Sequence, residues 1–260
     1  MLIFTFLCLL TSITLFVYKK TKSETRKTDL KIDNLNGNVK SITWFKFEMT
    51  EKFGEKVEEN VSEMSFVSYN EDGNILQAEY NSDAEMGYSF EKNKYDDEGN
   101  KIECAKYYIL DPEIKYSLRE GDKFDKIEGW LINLTKYKYD DEDNNVESAT
   151  YNKEGELKTL IKNKFDEEGN NVESATHNKE GELTTLIKNK FDNSGNLIEI
   201  KSDFISNKYK VKNEINYLLF DDKNNWIRQS QNLTLPGLII GGKDLSNNLI
   251  YYKREIEYYE

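Results

Sequence analysis

VESATYNKEGELKTLIKNKFDEEG at Val146–Gly169 is followed by VESATHNKEGELTTLIKNKFDNSG at Val172–Gly195. The two stretches differ only at Tyr151/His177, Lys158/Thr184, Glu167/Asn193 and Glu168/Ser194, so the chain repeats with a period of 26 residues. A fixed period of this size marks supersecondary units placed side by side.

Working outward, one short core recurs: an aromatic, Asp or Asn, two polar residues, a turn residue, Asn, any residue and an aliphatic. It starts at Tyr69, Tyr95, Tyr139, Phe165, Phe191 and Phe220. The fifth position holds Gly73, Gly99, Asp143, Gly169, Gly195 and Asn224. These residue types tolerate the left-handed backbone that a tight hairpin turn demands. The Asp or Asn at the second position is placed to accept a backbone N–H two residues on. A weaker turn, at Gly155 and Gly181, falls between the strong ones.

Each unit therefore holds two turns and two strands of about nine residues, and no segment carries a helical period. The expected fold is all-β: an antiparallel meander of repeated hairpins in an elongated, twisted or coiled sheet. Alternation from Glu156 places Leu157, Thr159, Ile161, Asn163 and Phe165 on one face and Lys158, Leu160, Lys162 and Lys164 on the other. Stacking of units would set Val146 near Val172, Leu157 near Leu183, Ile161 near Ile187 and Phe165 near Phe191 as the core.

The Tyr-Asp-x-x-Gly-Asn turns and their spacing resemble YD repeats, the RHS-like repeats of bacterial surface proteins and toxin shells. The resemblance covers about residues 32–228 and implies a β-repeat sheet of the small exported kind. The chain has too few repeats to enclose a toxin domain. MORN-type repeats are the alternative, with denser glycine than this chain has.

Residues 1–18 form a separate segment, because Leu2–Tyr18 is uncharged and apolar and is followed by Lys19, Lys20, Lys22, Arg26 and Lys27. It reads as a signal sequence or a short membrane anchor. Residues 19–30 are a charged linker and 31–260 the repeat domain, with insertions at about 104–138 and 229–249. The expected location is the cell envelope, exported or single-pass anchored, in either orientation.

Beyond residue 28 the chain carries 31 basic and 47 acidic side chains, a net of −16. Nucleic-acid binding depends on neutralising phosphates, so it is not expected. The single histidine, His177, stands where the sister unit has Tyr151 and reads as a drifted aromatic. The acidic string Asp140–Asn145 lacks the spacing of a calcium loop. Cys8 lies in the apolar segment and leaves Cys104 without a partner. No catalytic residue, metal site or cofactor is expected.

Aromatic residues in the first insertion, Tyr107, Tyr108, Tyr116 and Trp130, are the candidate binding residues, since ligands favour loops on rigid scaffolds. The composite expectation is a non-catalytic binding or structural module whose partner is a protein or a cell-surface glycan. The alternatives are a toxin accessory or immunity protein, and a carbohydrate-active enzyme with paired carboxylates.

Overall fold

The computed structural model describes residues 28–81, 88–109, 130–205, 208–236, 239–240, 243–244 and 247–260. A one-turn helix, α1 (Asp29–Ile32), precedes the strands, and the Thr28 hydroxyl caps it by accepting from Lys31 N. The strands are β1 (Val39–Lys52), β2 (Glu55–Tyr69), β3 (Ile75–Asn81), β4 (Tyr88–Tyr95), β5 (Lys101–Ile109) and β6 (Trp130–Tyr139). There follow β7 (Asn145–Asn152), β8 (Leu157–Phe165), β9 (Asn171–Asn178), β10 (Leu183–Phe191) and β11 (Leu197–Phe204). The chain ends with β12 (Tyr209–Phe220), β13 (Trp226–Thr234), the two-residue pair β14 (Ile239–Ile240) and β15 (Lys243–Asp244), and β16 (Asn247–Tyr258).

The meander of antiparallel hairpins is present, but the sheet is not open. β1 pairs with β2 on one side and with β16 on the other, and the fourteen long strands close into a barrel. Closure sets Ile42 opposite Ile256 and Trp44 opposite Arg254, which gives the first and last strands a shared apolar seam. It also removes both sheet edges. Fourteen strands spaced about 4.8 Å and tilted about 40° make a round section about 28 Å across.

All six motif turns lie on one rim. Their fifth residues have positive φ, from 59° at Asp143 and 64° at Asn224 to 82° at Gly99, as the residue choice implies. The second-position side chain accepts from the sixth-position N–H in every copy, for example Asn100 N to Asp96 Oδ1 at 2.8 Å and Asn74 N to Asn70 Oδ1 at 2.9 Å. The expected bond two residues on is added at Asp140, Asp192 and Asp221. Burial raises the Asp192 pKa, but donation from Asn196 and from Ser194 N outweighs it, and the carboxyl sits below its usual range.

The described residues begin at Thr28, inside the stretch read as linker, and residues 28–38 close the motif rim as a plug. Asp29 accepts from Ile75 N and the Tyr95 hydroxyl, each at 2.8 Å, and pairs with Lys101 Nζ at 3.1 Å. Asn34 donates to Gly195 O at 3.3 Å, and Asn36 N donates to Asn225 Oδ1 at 2.7 Å. The β4–β5 and β10–β11 turns thus joined stand six strands apart in the ring, nearly opposite each other. Leu30 and Leu35 pack beneath, with Val39, Ile42 and Tyr69. This cluster is the apolar core.

The repeat ladders are not that core. β8 and β10 are separated by β9, so Ile161 neighbours Ser148 and Thr176 rather than Ile187. A register shift between Thr150 and Tyr151 also pairs Leu157 with Tyr151, on the face opposite Phe165. Among the described residues of β6 to β11 no side chain is fully buried.

The first insertion is partly strand: Cys104–Ile109 ends β5 and Trp130–Tyr139 is β6, while residues 110–129 lie outside the described residues. The anchor segment, residues 1–18, lies outside them too. In the second insertion, β13 runs to Thr234 and β16 begins at Asn247.

β1 and β2 are the longest strands, and their hairpin folds back over the barrel. Register shifts at Trp44/Phe45 and Lys46/Glu48 bend it. Glu58 of β2 then reaches Arg228 Nη2 of β13 at 2.8 Å and Lys253 Nζ of β16 at 3.5 Å. The fold-back explains why Phe47, whose ring packs tilted against Tyr251 at 5.6 Å, is buried on the outer wall. At the tip, Phe53 is wholly exposed at φ 55°.

Candidate functional site

Strand alternation sorts the wall of β6 to β11 into two surfaces. Residues on the plug side of the sheet face the lumen, and those forming Lys–Glu pairs face out. The lumenal row carries Asn133, Thr135, Thr150, Thr159 and Ser174, with Thr176 and Asn189 beyond, while the Asn152 and Asn178 side chains bond within their own turns, to Glu156 and Glu182. The side chains of the row form a lattice within the wall. The Thr135 and Thr150 hydroxyls meet at 3.0 Å, Ser174 Oγ donates to Asn163 Oδ1 at 2.7 Å, and Asn163 Nδ2 donates to Asn145 O at 2.8 Å. Asn189 Nδ2 repeats the last bond one unit later, to Asn171 O at 2.9 Å. All these residues are half-buried, so the described residues line the lumen beside them without filling it.

Near the plug the lumen changes character. Arg254 is 4% exposed, its guanidinium carbon lies 3.8 Å from the Trp226 ring centroid and 5.6 Å from that of Trp44, and Nε donates to Trp226 O. Burial lowers its pKa to about 10, against the raising influence of Tyr69, Tyr217, Asp33 and Asp221. Tyr69 donates to Asp33 Oδ2 at 2.8 Å, and burial raises the Asp33 carboxyl pKa despite that bond. Arg254 is the keystone of the aromatic floor on which the plug rests.

Glu91, Cys104 and Tyr137 meet on the lumenal face of β4, β5 and β6. Burial raises the Cys104 thiol to about 12, with Glu91 adding to the rise, so the thiol is inert at neutral pH. No group of three or more His, Cys, Asp or Glu among the described residues is placed to hold a metal ion.

Outside, Lys94–Glu103, Lys138–Glu147 and Lys164–Glu173 form ion pairs at 2.5, 2.5 and 2.7 Å on successive hairpins. A shallow groove of about 330 Å³ lies on β10 to β13, bordered by Leu186, Lys188, Lys201, Asp203, Lys210 and Lys212. Lys201, Lys210 and Lys212 are ion-paired there, to Glu199, Asp203 and Glu214 among others.

The aromatic residues singled out in the sequence do not line the lumen floor. Tyr107 stacks on Phe90 at 5.2 Å under Lys92, on the outer side of β4 and β5. Tyr108 pairs with Trp130 at the rim away from the motif turns, where Trp130 is 70% exposed. Tyr116 lies outside the described residues. His177 is not at a turn: it stands on the outer wall opposite Leu160 and Leu183. The lumenal lattice was missed, although its signal is in the sequence: Asn, Ser and Thr recur at alternate positions of the repeat strands.

No protein-family model and no curated protein matches the chain. Among solved structures, a porin-like protein from Bacteroides uniformis is similar at 9% identity, with 85% of this chain and 99% of that one covered and a TM-score of 0.49. A porin-like protein from Bacteroides vulgatus is similar at 12% identity, 85% and 98% coverage and a TM-score of 0.38. A chain of the TcdB2-TccC3-Cdc42 complex is similar at 11% identity over 72% of this chain and 12% of its own length, with a TM-score of 0.22. Likenesses this distant carry no function across.

Proposed function

We propose that the chain is a non-catalytic binding module of the cell envelope, tethered through residues 2–18, that holds a neutral hydroxyl-rich glycan in its lumen. The observation that carries this reading is the unfilled, half-exposed lattice of amide and hydroxyl side chains on β6 to β10. Such groups both donate and accept, and so match sugar hydroxyls. The plug makes the barrel a cup with one end closed.

The outer wall argues for a barrel in water rather than one spanning lipid. A lipid-spanning barrel carries an apolar band about 25 Å tall around every strand. Here β8 presents Lys158, Lys162 and Lys164 outward, all exposed, and paired Lys–Glu ladders cross the neighbouring hairpins.

The test is calorimetric titration of the full chain in lipid nanodiscs with soluble malto-, cello- and chito-oligosaccharides. Saturable binding of one series is expected, with loss of that binding in Thr176→Trp, whose indole would occupy the lumen. Absence of binding to every series, or binding that survives Thr176→Trp, would contradict the reading.

A further inference from the structure

The outer wall of β6 to β10 carries an ordered apolar surface that lumenal binding does not use. The 26-residue period extends back into β6, so leucines recur in two rows: Leu131, Leu157 and Leu183, then Leu134, Leu160 and Leu186. Pairing places them together on the outer side. Leu134 and Leu157 both lie opposite Tyr151, and Leu160 and Leu183 both lie opposite His177. Leu131 lies opposite Tyr107, which faces out with Lys92. Leu183 is 38% exposed and the other five are half-buried.

A third row follows toward the motif rim: Lys136, Lys162 and Lys188, again 26 residues apart. All three are exposed, and none forms an ion pair among the described residues. The next lysines along these strands behave differently, since Lys138 and Lys164 are neutralised by Glu147 and Glu173. Each lysine of the row lies across from a glutamate, Glu103, Glu147 or Glu173, that is already ion-paired with Lys94, Lys138 or Lys164, so this wall keeps one lysine in excess for each glutamate on a body of net charge −16.

We infer that this leucine and lysine wall rests on an anionic membrane surface, side-on. Two rows of leucine are the right height to enter the headgroup boundary, which admits an apolar face to about 5–10 Å. The adjoining lysines stand level with lipid phosphates, each near-surface cation contributing about 1 kcal/mol. Chain length agrees. The apolar segment ends at Tyr18 and Thr28 sits in the motif mouth, and a chain of the nine residues between them can span about 30 Å at full extension. That exceeds the barrel's half-width of about 14 Å, so the tether can hold this wall on the same membrane. The inference rests on the tether and not on what the lumen binds.

The experiment uses the full chain carrying Leu160→Trp, reconstituted in vesicles of equal parts phosphatidylglycerol and phosphatidylcholine with or without brominated acyl chains. Contact with the boundary predicts that bromination cuts the added emission by about twofold or more. Thr159→Trp, one residue away but facing the lumen, should be unaffected. Lys136→Glu, Lys162→Glu and Lys188→Glu together should restore the Leu160→Trp emission. If Leu160→Trp unfolds the barrel, Leu186→Trp reports on the same wall. Emission indifferent to bromination, or quenching that survives the three glutamates, would overturn the inference. Unquenched emission with cross-linking between copies at this wall would assign it to a second copy and overturn it too. Oligosaccharide binding, read separately through Thr176→Trp, would be untouched by any of these outcomes.

Discussion

The Tyr69 hydroxyl donates to the Asp33 carboxylate at 2.8 Å, joining the first repeat aromatic to the plug that closes the barrel. Tyr69 is 2% exposed, and its pKa is raised by burial and then by Asp33. The aromatic that opens each repeat thus does more than start a turn: at Tyr69 and Tyr95 its hydroxyl holds residues 28–38 in the mouth.

Asp29 should be the costliest plug residue to lose. It is buried and accepts from Ile75 N, Tyr95 Oη and Lys101 Nζ, so Asp29→Ala leaves Ile75 N and the Lys101 charge unmatched, while the Tyr95 hydroxyl keeps Ile75 O at 2.9 Å. The expected loss is about 3–5 kcal/mol in urea unfolding. Lys138→Ala breaks only an exposed pair and should cost under about 1 kcal/mol. Equal midpoints would remove the plug from the stability of the fold.

At the motif turns, Gly169→Val should destabilise the barrel by about 1–3 kcal/mol, because a β-branched residue is strained at φ 79°. Asp143→Gly should be neutral or stabilising, since it relieves the same conformation at φ 59°. Thermal melts of the two variants decide this.

These turns were legible in the sequence because positive φ restricts residue choice at one position, and every copy obeyed it. Strand length and antiparallel order followed from turn spacing. Closure was not legible, since it depends on β1 meeting β16 across the whole chain, and no local pattern encodes that pairing. Nor was the face of Leu157. Alternation counted back from Phe165 puts it inside, but the register shift at Thr150/Tyr151 turns it out. The plug escaped because a four-residue helix has no period to detect. Tyr107, Tyr108 and Trp130 were recognised as neighbours, whereas the lumenal lattice required knowing which face was enclosed.

Acid should loosen the motif rim. Asp166, Asp192 and Asp221 have folded pKa values below the ordinary carboxylate value: burial raises each, but the hydrogen bonds each accepts together outweigh it. Their contribution is therefore full above the unfolded pKa of about 3.9 and is lost as pH falls through the lower folded values. Asn70 fills the same role in the first turn without a charge. Replacing the three aspartates with Asn should flatten the fall in melting temperature below about pH 4. An unchanged acid profile would refute the role assigned to these turns.

Deleting Val146–Asn171 removes one repeat and rejoins Asn145 to Val172 in register. The expected product is a folded twelve-strand barrel with a cooperative melt and a narrower lumen. Its crystal structure should show β1 still paired with β16. An aggregated or molten product would mean that the plug tolerates one ring size only.

The hollow lumen is tested most directly by two tryptophan substitutions on the same inner surface. Thr176 faces the unfilled lumen of β9, whereas Ala78 on β3 is fully buried. Thr176→Trp should change unfolding free energy by less than about 1 kcal/mol and give acrylamide-accessible emission, while Ala78→Trp should cost about 1–3 kcal/mol or more through overpacking. A Thr176→Trp penalty as large as that of Ala78→Trp, with its emission shielded, would show a packed interior and contradict the account.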